Sequence, residues 1–376
     1  MKGDKIIMGK FGKKNHISLN VTDVSTILLG QPKVGKTTIF KEIAEKEVGE
    51  QYMFFEFYHE NGSRYIENII AEDIPDWEHF EEVVSDIEEN PEDYDLKVVY
   101  WDTLDGAITI AEQESLRLWN KECRTKGQAD KCTDSINAAW GGFQHGQDKA
   151  MELLDDMKFR LEAVGIKVQL IGHIKTTNII DPVTNESYTQ LTSDVTQKYF
   201  NHFKKMYDLI AVAYIDRDVV AEKTGRKNVV THKDETRNVV KSETRKIKFR
   251  DPMFAIDSGG RLREIVDEID FGADEFIEAV KNALTTAVEK AGVDLKDRAK
   301  EDKANDKAKA KEIADNIATN KSKKELETVI SSIIDACKAD KDLAKNVVKE
   351  CKELGYSNPK EVDELEVAKK LLAMCE

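Results

Sequence analysis

Residues 30–38, GQPKVGKTT, place two glycines, two lysines and two threonine hydroxyls at a spacing that suits phosphate binding. Gly30 and Gly35 permit a tight turn whose backbone N–H groups point towards phosphate oxygens, aided by the N-terminus of a following helix. Lys36 would reach the outer phosphates of a nucleoside triphosphate, and Thr37 would bind Mg²⁺. The expected nucleotide-binding residues of this loop are Gly30, Gln31, Pro32, Lys33, Val34, Gly35, Lys36, Thr37 and Thr38.

Carboxylates that follow apolar runs are the second feature of this chemistry. Asp102 follows VVYW, where it would hold Mg²⁺ through water or accept a hydrogen bond from Thr37. The alternative for Asp102 is a surface aspartate that caps the next helix. Glu60 is the expected water-activating base, because it lies just past a strand, where the crevice of a parallel sheet forms. Glu56 has the same strand parity and stays an alternative base.

Two polar residues end the later run IKVQLIGHIK. His173 could contact both the terminal phosphate and the chain beyond the strand, and would then report the nucleotide state. The alternative is a histidine whose hydrogen bonds are satisfied locally, and the same choice applies to Lys175.

Four cations lie in the run TRKIKFR, namely Arg245, Lys246, Lys248 and Arg250. Such a strand could present a cation to the phosphate of a neighbouring subunit, as a finger in trans. A charged edge strand that resists aggregation is the alternative.

A third group of residues suits single-stranded nucleic acid. In the segment 113–147, five cations alternate with three aromatic residues: Arg117, Lys121, Arg124, Lys126 and Lys131 with Trp119, Trp140 and Phe143. Cations follow a phosphate backbone and exposed aromatic rings stack on bases, whereas buried tryptophans with solvated charges would be the structural alternative. The stretch 176–205 begins as a long polar loop after His173, which could couple nucleotide to a ligand.

The elements that must position these residues alternate along the chain. Apolar runs predict strands at 25–29, 51–57, 96–101, 166–175 and 207–216, with helical spacing after the first and before the fourth. The Pro75-Asp76 pair predicts a helix start. Later runs, RKNVVTH and ETRKIKFRD, alternate like antiparallel strands. This order predicts an α/β fold with a mostly parallel sheet and antiparallel edge strands.

The composition changes near residue 298, where Ala, Lys, Asp and Glu dominate. We expect a P-loop ATPase domain at 1–290, a charged helical linker at 291–321 and a small helical module at 322–376. Three amphipathic runs predict the helices of this module.

Composition excludes several classes of protein. A chain of 376 residues with 34% charged residues has no apolar run long enough to span a membrane, and its basic start lacks the apolar core of a secretory signal. We therefore expect a soluble, cytoplasmic protein without a membrane partner. Five cysteines without a C-x-x-C pair predict reduced thiols rather than disulfides or a zinc site. The net charge of −15 opposes non-specific DNA binding, so any DNA site must be a local patch.

Taken together, GQPKVGKT, YHENG, VVYWDTLDG, GGFQHG and LIGHIK resemble the RecA-like ATPase domain of phage single-strand annealing proteins over roughly residues 15–280. The resemblance implies a RecA-type core, Mg²⁺-ATP between the subunits of a homo-oligomeric ring or filament, and single-stranded DNA annealing or strand exchange assisted by a single-strand binding protein. It implies that Glu60 activates water, that His173 and Lys175 sense the terminal phosphate, and that Lys248 or Arg250 reaches across the interface.

Two other functions remain open from the sequence. A P-loop nucleotide kinase would use the same loop to transfer phosphate to a small acceptor, although no arginine-rich lid is evident. A nucleotide-gated scaffold would recruit proteins through the C-terminal helices with little or no hydrolysis.

Overall fold

In the computed structural model of this chain, the glycine-rich loop lies between a buried strand, β1 (Thr26–Gly30), and a helix, α1 (Lys36–Val48). The structure describes residues 16–181, 184–227, 234–251, 253, 255–339 and 341–375. Helix α1 turns Ile39, Phe40 and Ile43 inward, so the apolar spacing that predicted a helix also determines its buried face.

The other strands form one large sheet with β1. They are β2 (Tyr52–Phe57), β3 (Ala71–Ile74), β4 (Val98–Asp102), β5 (Lys167–Ile180), β6 (Ser187–Ser193), β7 (Leu209–Lys227), β8 (Asp234–Lys248), β9 (Gly259–Gly260) and β10 (Glu268–Asp270). Their order across the sheet is β10-β8-β7-β1-β5-β4-β2-β3, with β6 paired to β5 and β9 paired to β7.

Strand direction divides the sheet into a parallel centre and antiparallel additions. Strands β3, β2, β4, β5, β1 and β7 are parallel neighbours, whereas β8 and β10 continue the sheet in antiparallel pairs. The predicted α/β class, with a mostly parallel sheet and antiparallel edge strands, is therefore confirmed.

The remaining helices cover both faces of the sheet or follow it in the chain. They are α2 (Trp77–Glu89), α3 (Pro91–Tyr94), α4 (Leu104–Thr125), α5 (His145–Ala163), α6 (Gln197–Met206), α7 (Ala273–Lys290), α8 (Leu295–Ala339), α9 (Lys341–Glu353) and α10 (Leu365–Leu372). The predicted helix start at Pro75-Asp76 is confirmed, because the Asp76 side chain accepts a hydrogen bond from the His79 N–H and caps α2.

Two hydrophobic cores form on the two faces of the sheet. Alternate residues of one strand point to opposite faces, so Val99 and Trp101 of β4 enter one core while Val98 and Tyr100 enter the other. Because both faces of the sheet are packed, the strands are held in position relative to one another. Several of their carboxyl ends carry the polar residues identified in the sequence.

Strand β5 differs from its prediction in length. Its parallel pairing with β1 ends at His173, but the strand continues to Ile180 and pairs with β6 as an antiparallel hairpin. The expected long polar loop at the start of 176–205 is therefore wrong: these polar residues form the β5–β6 hairpin and then α6. Alternating exposed polar side chains are compatible with a solvated two-stranded ribbon, which composition alone does not distinguish from a loop.

The C-terminal part is helical, as predicted. The 45-residue helix α8 covers both the expected linker and the first expected module helix, and its last part packs with α9 and α10 around a separate core that includes Ile333 and Val347. The first part of α8 is held against the segment that precedes β1, since Asp302 accepts hydrogen bonds from His16 at 2.6 Å and from the Leu19 N–H at 3.1 Å.

Some predicted features lie outside the described residues, namely the basic start within 1–15 and most of the predicted strand RKNVVTH, at 228–232. Among the described residues, no helix combines the length and apolar character that crossing a membrane requires. The five cysteines are free thiols.

Candidate nucleotide-binding site

The glycine-rich loop has the backbone geometry that its sequence predicts. Gly35 adopts φ of 105°, a left-handed conformation that favours glycine, directly before α1 begins. Gly30 passes close to β7, where a Cβ would lie 2.9 Å from the carbonyl oxygen of Ala213. Both positions therefore require glycine, one for its backbone conformation and the other for space.

The Lys36 side chain is folded back into this loop. Its ammonium donates hydrogen bonds to the carbonyl oxygens of Gly30 and Gln31, both at 3.2 Å, and the residue is only 6% exposed. Burial lowers the pKa of Lys36, although the carboxylates of Asp102 and Glu60 oppose that shift. The charge is therefore buried and held by carbonyl dipoles at the centre of the loop.

Thr37 and Asp102 meet at the edge of the loop. The Thr37 hydroxyl donates a hydrogen bond of 2.6 Å to Asp102 Oδ2, at the end of β4. Burial raises the pKa of Asp102 to about 7, and the Thr37 hydrogen bond only partly offsets this. Of the two interpretations of Asp102, the structure places its carboxylate against the loop rather than on the surface.

Glu56 and Glu60 occupy different environments near this pair. Glu56 lies beside Asp102 in the β2–β4 register, and its carboxylate accepts hydrogen bonds from the Ser63 N–H at 2.7 Å and the Ser63 hydroxyl at 2.5 Å. Glu60 is partly exposed, and its charge acts on both Lys36 and Asp102. Both oxygens of Glu56 are thus engaged by a turn, whereas Glu60 is partly exposed and close enough for its charge to act on the loop.

Gly62 closes the space between these groups. A Cβ on Gly62 would lie 3.1 Å from Thr37 Oγ1 and 3.6 Å from Asp102 Oδ2. The turn at Gly62–Tyr65 therefore packs directly over the Thr37–Asp102 pair. A side chain at position 62 would require Thr37 or the turn to shift.

The residues present fit a triphosphate with Mg²⁺. A left-handed glycine at a helix N-terminus and a buried ammonium suit an anion. Hydroxyl and carboxylate oxygens, as supplied by Thr37 and Asp102, are the hard ligands that Mg²⁺ prefers. The remaining loop residues Gln31, Pro32, Lys33, Val34 and Thr38 lie in the same turn and first helical turn.

His173 lies in a second polar cluster, next to the loop, because it pairs with Gly30 in the register of β1 and β5. Its Nδ1 is 3.3 Å from Asp105 Oδ1, and this hydrogen bond raises the pKa of His173. Burial alone would raise the pKa of Asp105, but the contacts with His173 and Thr103 prevail and lower it. Burial, together with the charge of Asp105, raises the pKa of Asp194, the third member of the cluster. The locally satisfied histidine and the sensor remain compatible here, because the cluster adjoins the loop.

The other expected phosphate-contacting cations have partners within the chain. The Lys175 ammonium donates to the carbonyl oxygen of Asp194 at 2.8 Å. Lys248 lies 3.4 Å from Glu268 and 3.6 Å from Asp251, and Arg250 donates to the Leu262 carbonyl oxygen at 2.6 Å. Lys248 and Arg250 are therefore not brought to the glycine-rich loop of their own chain by these contacts.

Arg245 is the cation of that run that does reach the loop. Its guanidinium donates to the carbonyl oxygen of Val34 at 3.3 Å, and the Phe271 ring would be 3.3 Å from a Cβ on Gly35. These two residues brace the loop from the β8 side. Sequence reasoning had grouped Arg245 with its neighbours and had not assigned it to its own loop.

The aromatic residues of 113–147 divide into two kinds. The Trp119 and Trp140 rings contact each other at 5.5 Å between centroids, and their N–H groups donate to Lys131 O and Ser115. Phe143 is 92% exposed. The packing interpretation therefore holds for the two tryptophans, while Phe143 stays available on the surface.

Sequence reasoning missed Ser63, Asp105 and Asp194. Asp105 follows Asp102 by three residues at the start of α4, a spacing that could have marked it. Asp194 comes next to the site only because the β5–β6 hairpin folds back, with its N–H donating to the His173 carbonyl oxygen at 3.1 Å. No local pattern in the sequence predicts that the hairpin folds back to this position.

Comparison with known proteins supplies a family. A protein-family model described as an AAA domain matches residues 22–244, more than half of the chain. No curated protein matches the sequence.

Two solved structures are similar at low overall agreement. One is a KaiC-like protein from the hyperthermophilic archaeon Pyrococcus horikoshii OT3, with 11% identity and a TM-score of 0.28 over 62% of this chain and 94% of that one. Another is a RadB recombinase, with 9% identity and a TM-score of 0.27 over 60% of this chain and 79% of that one. At these values neither likeness assigns an activity to this chain.

Proposed function

Since the chain belongs to the AAA domain family and carries a P-loop, we propose that it hydrolyses Mg²⁺-ATP and uses the cycle to act on single-stranded DNA in phage recombination or replication. The observation that carries the hydrolysis step is the convergence of Lys36, the Thr37–Asp102 pair and Glu60 at one end of the parallel sheet. The DNA task is supported by the resemblance in motifs and by the exposed residues of 113–147.

Each residue of the loop has a defined task in this proposal. Backbone N–H groups of residues 30–38 bind the phosphates, and Lys36 exchanges its loop carbonyls for the outer phosphate oxygens. Thr37 and Asp102 hold Mg²⁺, which supplies neutralisation of the charge that develops on the phosphates. The glycine turn excludes side chains from the path of the phosphates.

Glu60 is the proposed base for the attacking water. Glu60 is partly exposed and its charge acts on Lys36 and Asp102, whereas the two oxygens of Glu56 are engaged by Ser63. We therefore assign Glu56 the task of holding the Gly62–Tyr65 turn over the Thr37–Asp102 pair, and Glu60 that of accepting the proton.

His173 and Lys175 link the nucleotide to the β5–β6 hairpin in this proposal. His173 lies where the parallel pairing of β5 ends and the hairpin begins. Lys175, two residues further along β5, donates a hydrogen bond to the carbonyl oxygen of Asp194. A terminal phosphate near His173 would bias the position of the hairpin and so couple the bound nucleotide to a movement of the chain.

Lys248 and Arg250 are proposed to act between copies of the chain. Lys248 pairs with Glu268 at 3.4 Å and with Asp251 at 3.6 Å, and in this proposal it exchanges those carboxylates for the phosphate bound by a neighbouring subunit. The assembly would be a homo-oligomer, either a ring or a filament, with ATP at the interfaces and a single-strand binding protein as a further partner.

The chain divides, in this proposal, into an ATPase domain at 1–290, a charged helical linker at 291–321 and a helical module at 322–376. The separate core around Ile333 and Val347 supports an independent module, and α8 would transmit movement along its continuous length. The module is a further surface for a protein partner.

The DNA step is tested with a labelled single-stranded oligonucleotide, whose binding is followed by fluorescence anisotropy at several salt concentrations. We expect tighter binding with a non-hydrolysable ATP analogue than with ADP. Replacing Lys121, Arg124 and Lys126 by alanine should weaken binding to all sequences and reduce the slope of log affinity against log salt by about one per cation.

A matched control removes three exposed cations elsewhere, Lys303, Lys307 and Lys311 of α8, and should leave the slope unchanged. Equal effects of the two triple variants would exclude 113–147 as the DNA surface. Absence of DNA binding in every nucleotide state would exclude the proposed task and leave the nucleotide-gated scaffold.

A further inference from the structure

A compact set of metal-ligating side chains lies next to the P-loop but outside the Thr37–Asp102 pair. One ligand atom each of Asp105, His173 and Asp194 lies within 4.8 Å of the other two. The three residues come from the first turn of α4, from β5 at the end of its parallel pairing, and from the residue after β6. Three separate elements therefore deliver their polar groups to one point.

Asp194 supplies a second observation at this point. Its Oδ1 is buried and has no hydrogen-bond donor among the residues that the structure describes. Its backbone is held on both sides, since the N–H donates to His173 O at 3.1 Å and the carbonyl oxygen accepts from the Lys175 ammonium at 2.8 Å. A fixed carboxylate oxygen without a donor calls for a cation or another ligand, because a buried polar atom without a partner costs free energy.

The charges around the cluster have the same implication. Four carboxylates, those of Asp102, Glu60, Asp105 and Asp194, act on the single ammonium of Lys36. This concentration of negative charge attracts a cation.

We propose that Asp105, His173 and Asp194 bind a divalent cation of their own, separate from the Mg²⁺ at Thr37 and Asp102. Two carboxylate oxygens and one imidazole nitrogen suit a first-row metal such as Mn²⁺, because Mg²⁺ favours oxygen ligands throughout. Bonds from metal to carboxylate or imidazole are about 2.0–2.2 Å, so opposite ligand atoms stand about 4 Å apart. The present spacing needs only a small contraction.

Such an ion would tie the β5–β6 hairpin to the start of α4 beside the P-loop. With three protein ligands it keeps open positions, which water or a phosphate oxygen of a bound nucleotide can occupy. This last consequence rests on the proposed ATPase function, whereas the cation site itself does not.

The test uses the purified full chain without nucleotide and Mn²⁺ as the probe, followed by the loss of the electron paramagnetic resonance signal of free Mn²⁺. We expect saturable binding that Asp194→Asn weakens by at least about tenfold. Electron spin echo measurements should detect nitrogen coupled to the bound Mn²⁺ in the natural chain, and His173→Gln should remove that coupling.

Three controls separate this site from its neighbours. Glu186→Gln changes an exposed carboxylate of the same hairpin and should leave Mn²⁺ affinity unchanged. Thr37→Ala and Lys36→Ala alter the P-loop and should retain the nitrogen-coupled Mn²⁺, even where nucleotide binding is lost. Absence of Mn²⁺ binding, unchanged affinity in Asp194→Asn, or loss of the ion in Thr37→Ala would each overturn the proposal.

Discussion

The P-loop and the 113–147 segment were both predicted from residue types and spacing, yet the structure treats them differently. Around the loop, Lys36, Thr37 and Asp102 lie together as expected, with Thr37 and Asp102 joined by a hydrogen bond of 2.6 Å. In 113–147, base stacking and packing were both open for the two tryptophans, and their rings pack against each other at 5.5 Å between centroids. The course of the backbone determines the arrangement of Lys36, Thr37 and Asp102. The exposure of the tryptophans depends instead on which neighbouring side chains they pack against.

The difference shows when the geometry of a motif can be predicted from sequence. It can be predicted when the residues are adjacent in the chain or when the register of parallel strands positions them. Residues 30–38 run without interruption from the end of β1 through one loop into the first turn of α1, and the pairing of buried neighbouring strands positions Asp102. Exposure of an aromatic residue has no such local cause, because any nearby apolar surface or backbone acceptor can bury it.

The largest expected effect concerns the choice between Glu60 and Glu56. Glu60→Gln should lower ATP hydrolysis by about 10²–10⁴-fold, the range for loss of a general base, while ATP affinity is retained. Glu56→Gln keeps an acceptor for Ser63 and should have a much smaller effect. Steady-state ATP hydrolysis rates and nucleotide affinities of both variants distinguish the two residues. A larger loss of hydrolysis in Glu56→Gln than in Glu60→Gln would make Glu56 the base.

Asp102 provides a test of burial at the loop. Its pKa of about 7 lies above the usual value of 3.8, so the folded chain binds this proton more tightly than the unfolded chain. The free energy of unfolding should therefore fall as the pH rises from about 4 to 7, by an amount of order 2–4 kcal/mol at most.

Asp102→Asn does not titrate and should escape this loss, so its stability advantage over the natural chain should grow up to about pH 7 and then level. Thermal unfolding of the nucleotide-free proteins across this pH range measures the difference. The same variant should lose Mg²⁺-dependent hydrolysis. Parallel stability curves for the two proteins would show that the Asp102 carboxylate is not buried as described.

The smallest expected effects sharpen the comparison within 113–147. Trp119→Ala should lower the free energy of unfolding by about 2 kcal/mol, since a half-buried ring and its contact with Trp140 are lost. Phe143→Ala should change stability by less than about 0.5 kcal/mol. If Phe143 stacks on a base, the same change should weaken single-stranded DNA binding by about 1–3 kcal/mol.

Chemical denaturation and DNA anisotropy on these two variants separate packing from recognition. A large stability loss in Phe143→Ala, or a DNA effect confined to Trp119→Ala, would reverse the assignment of the two residues.

The parallel core and the P-loop side of the site could be predicted because apolar runs of four to six residues and a nine-residue motif carry their own geometry. His173 was expected to end its strand, but β5 continues to Ile180, and only the parallel pairing with β1 ends at His173. The hairpin that follows was missed, since polar ribbon and polar loop have similar composition. Ser63 and Asp194 reach the site because the chain folds back after β2 and after the β5–β6 hairpin. A single sequence does not show where the chain folds back in this way.

The most direct test of the account is the rate of ATP hydrolysis by the purified protein with Mg²⁺, with and without single-stranded DNA, beside Lys36→Ala and the exposed control Lys46→Ala. Loss of the buried Lys36 charge should lower the rate by at least about 10²-fold, as for removal of one group that stabilises the transition state. The account predicts a rate that depends on Lys36, is indifferent to Lys46 and rises with DNA. A Lys36-dependent rate that DNA does not change would contradict the proposed DNA task, and hydrolysis unaffected by Lys36→Ala would contradict the assignment of the site itself.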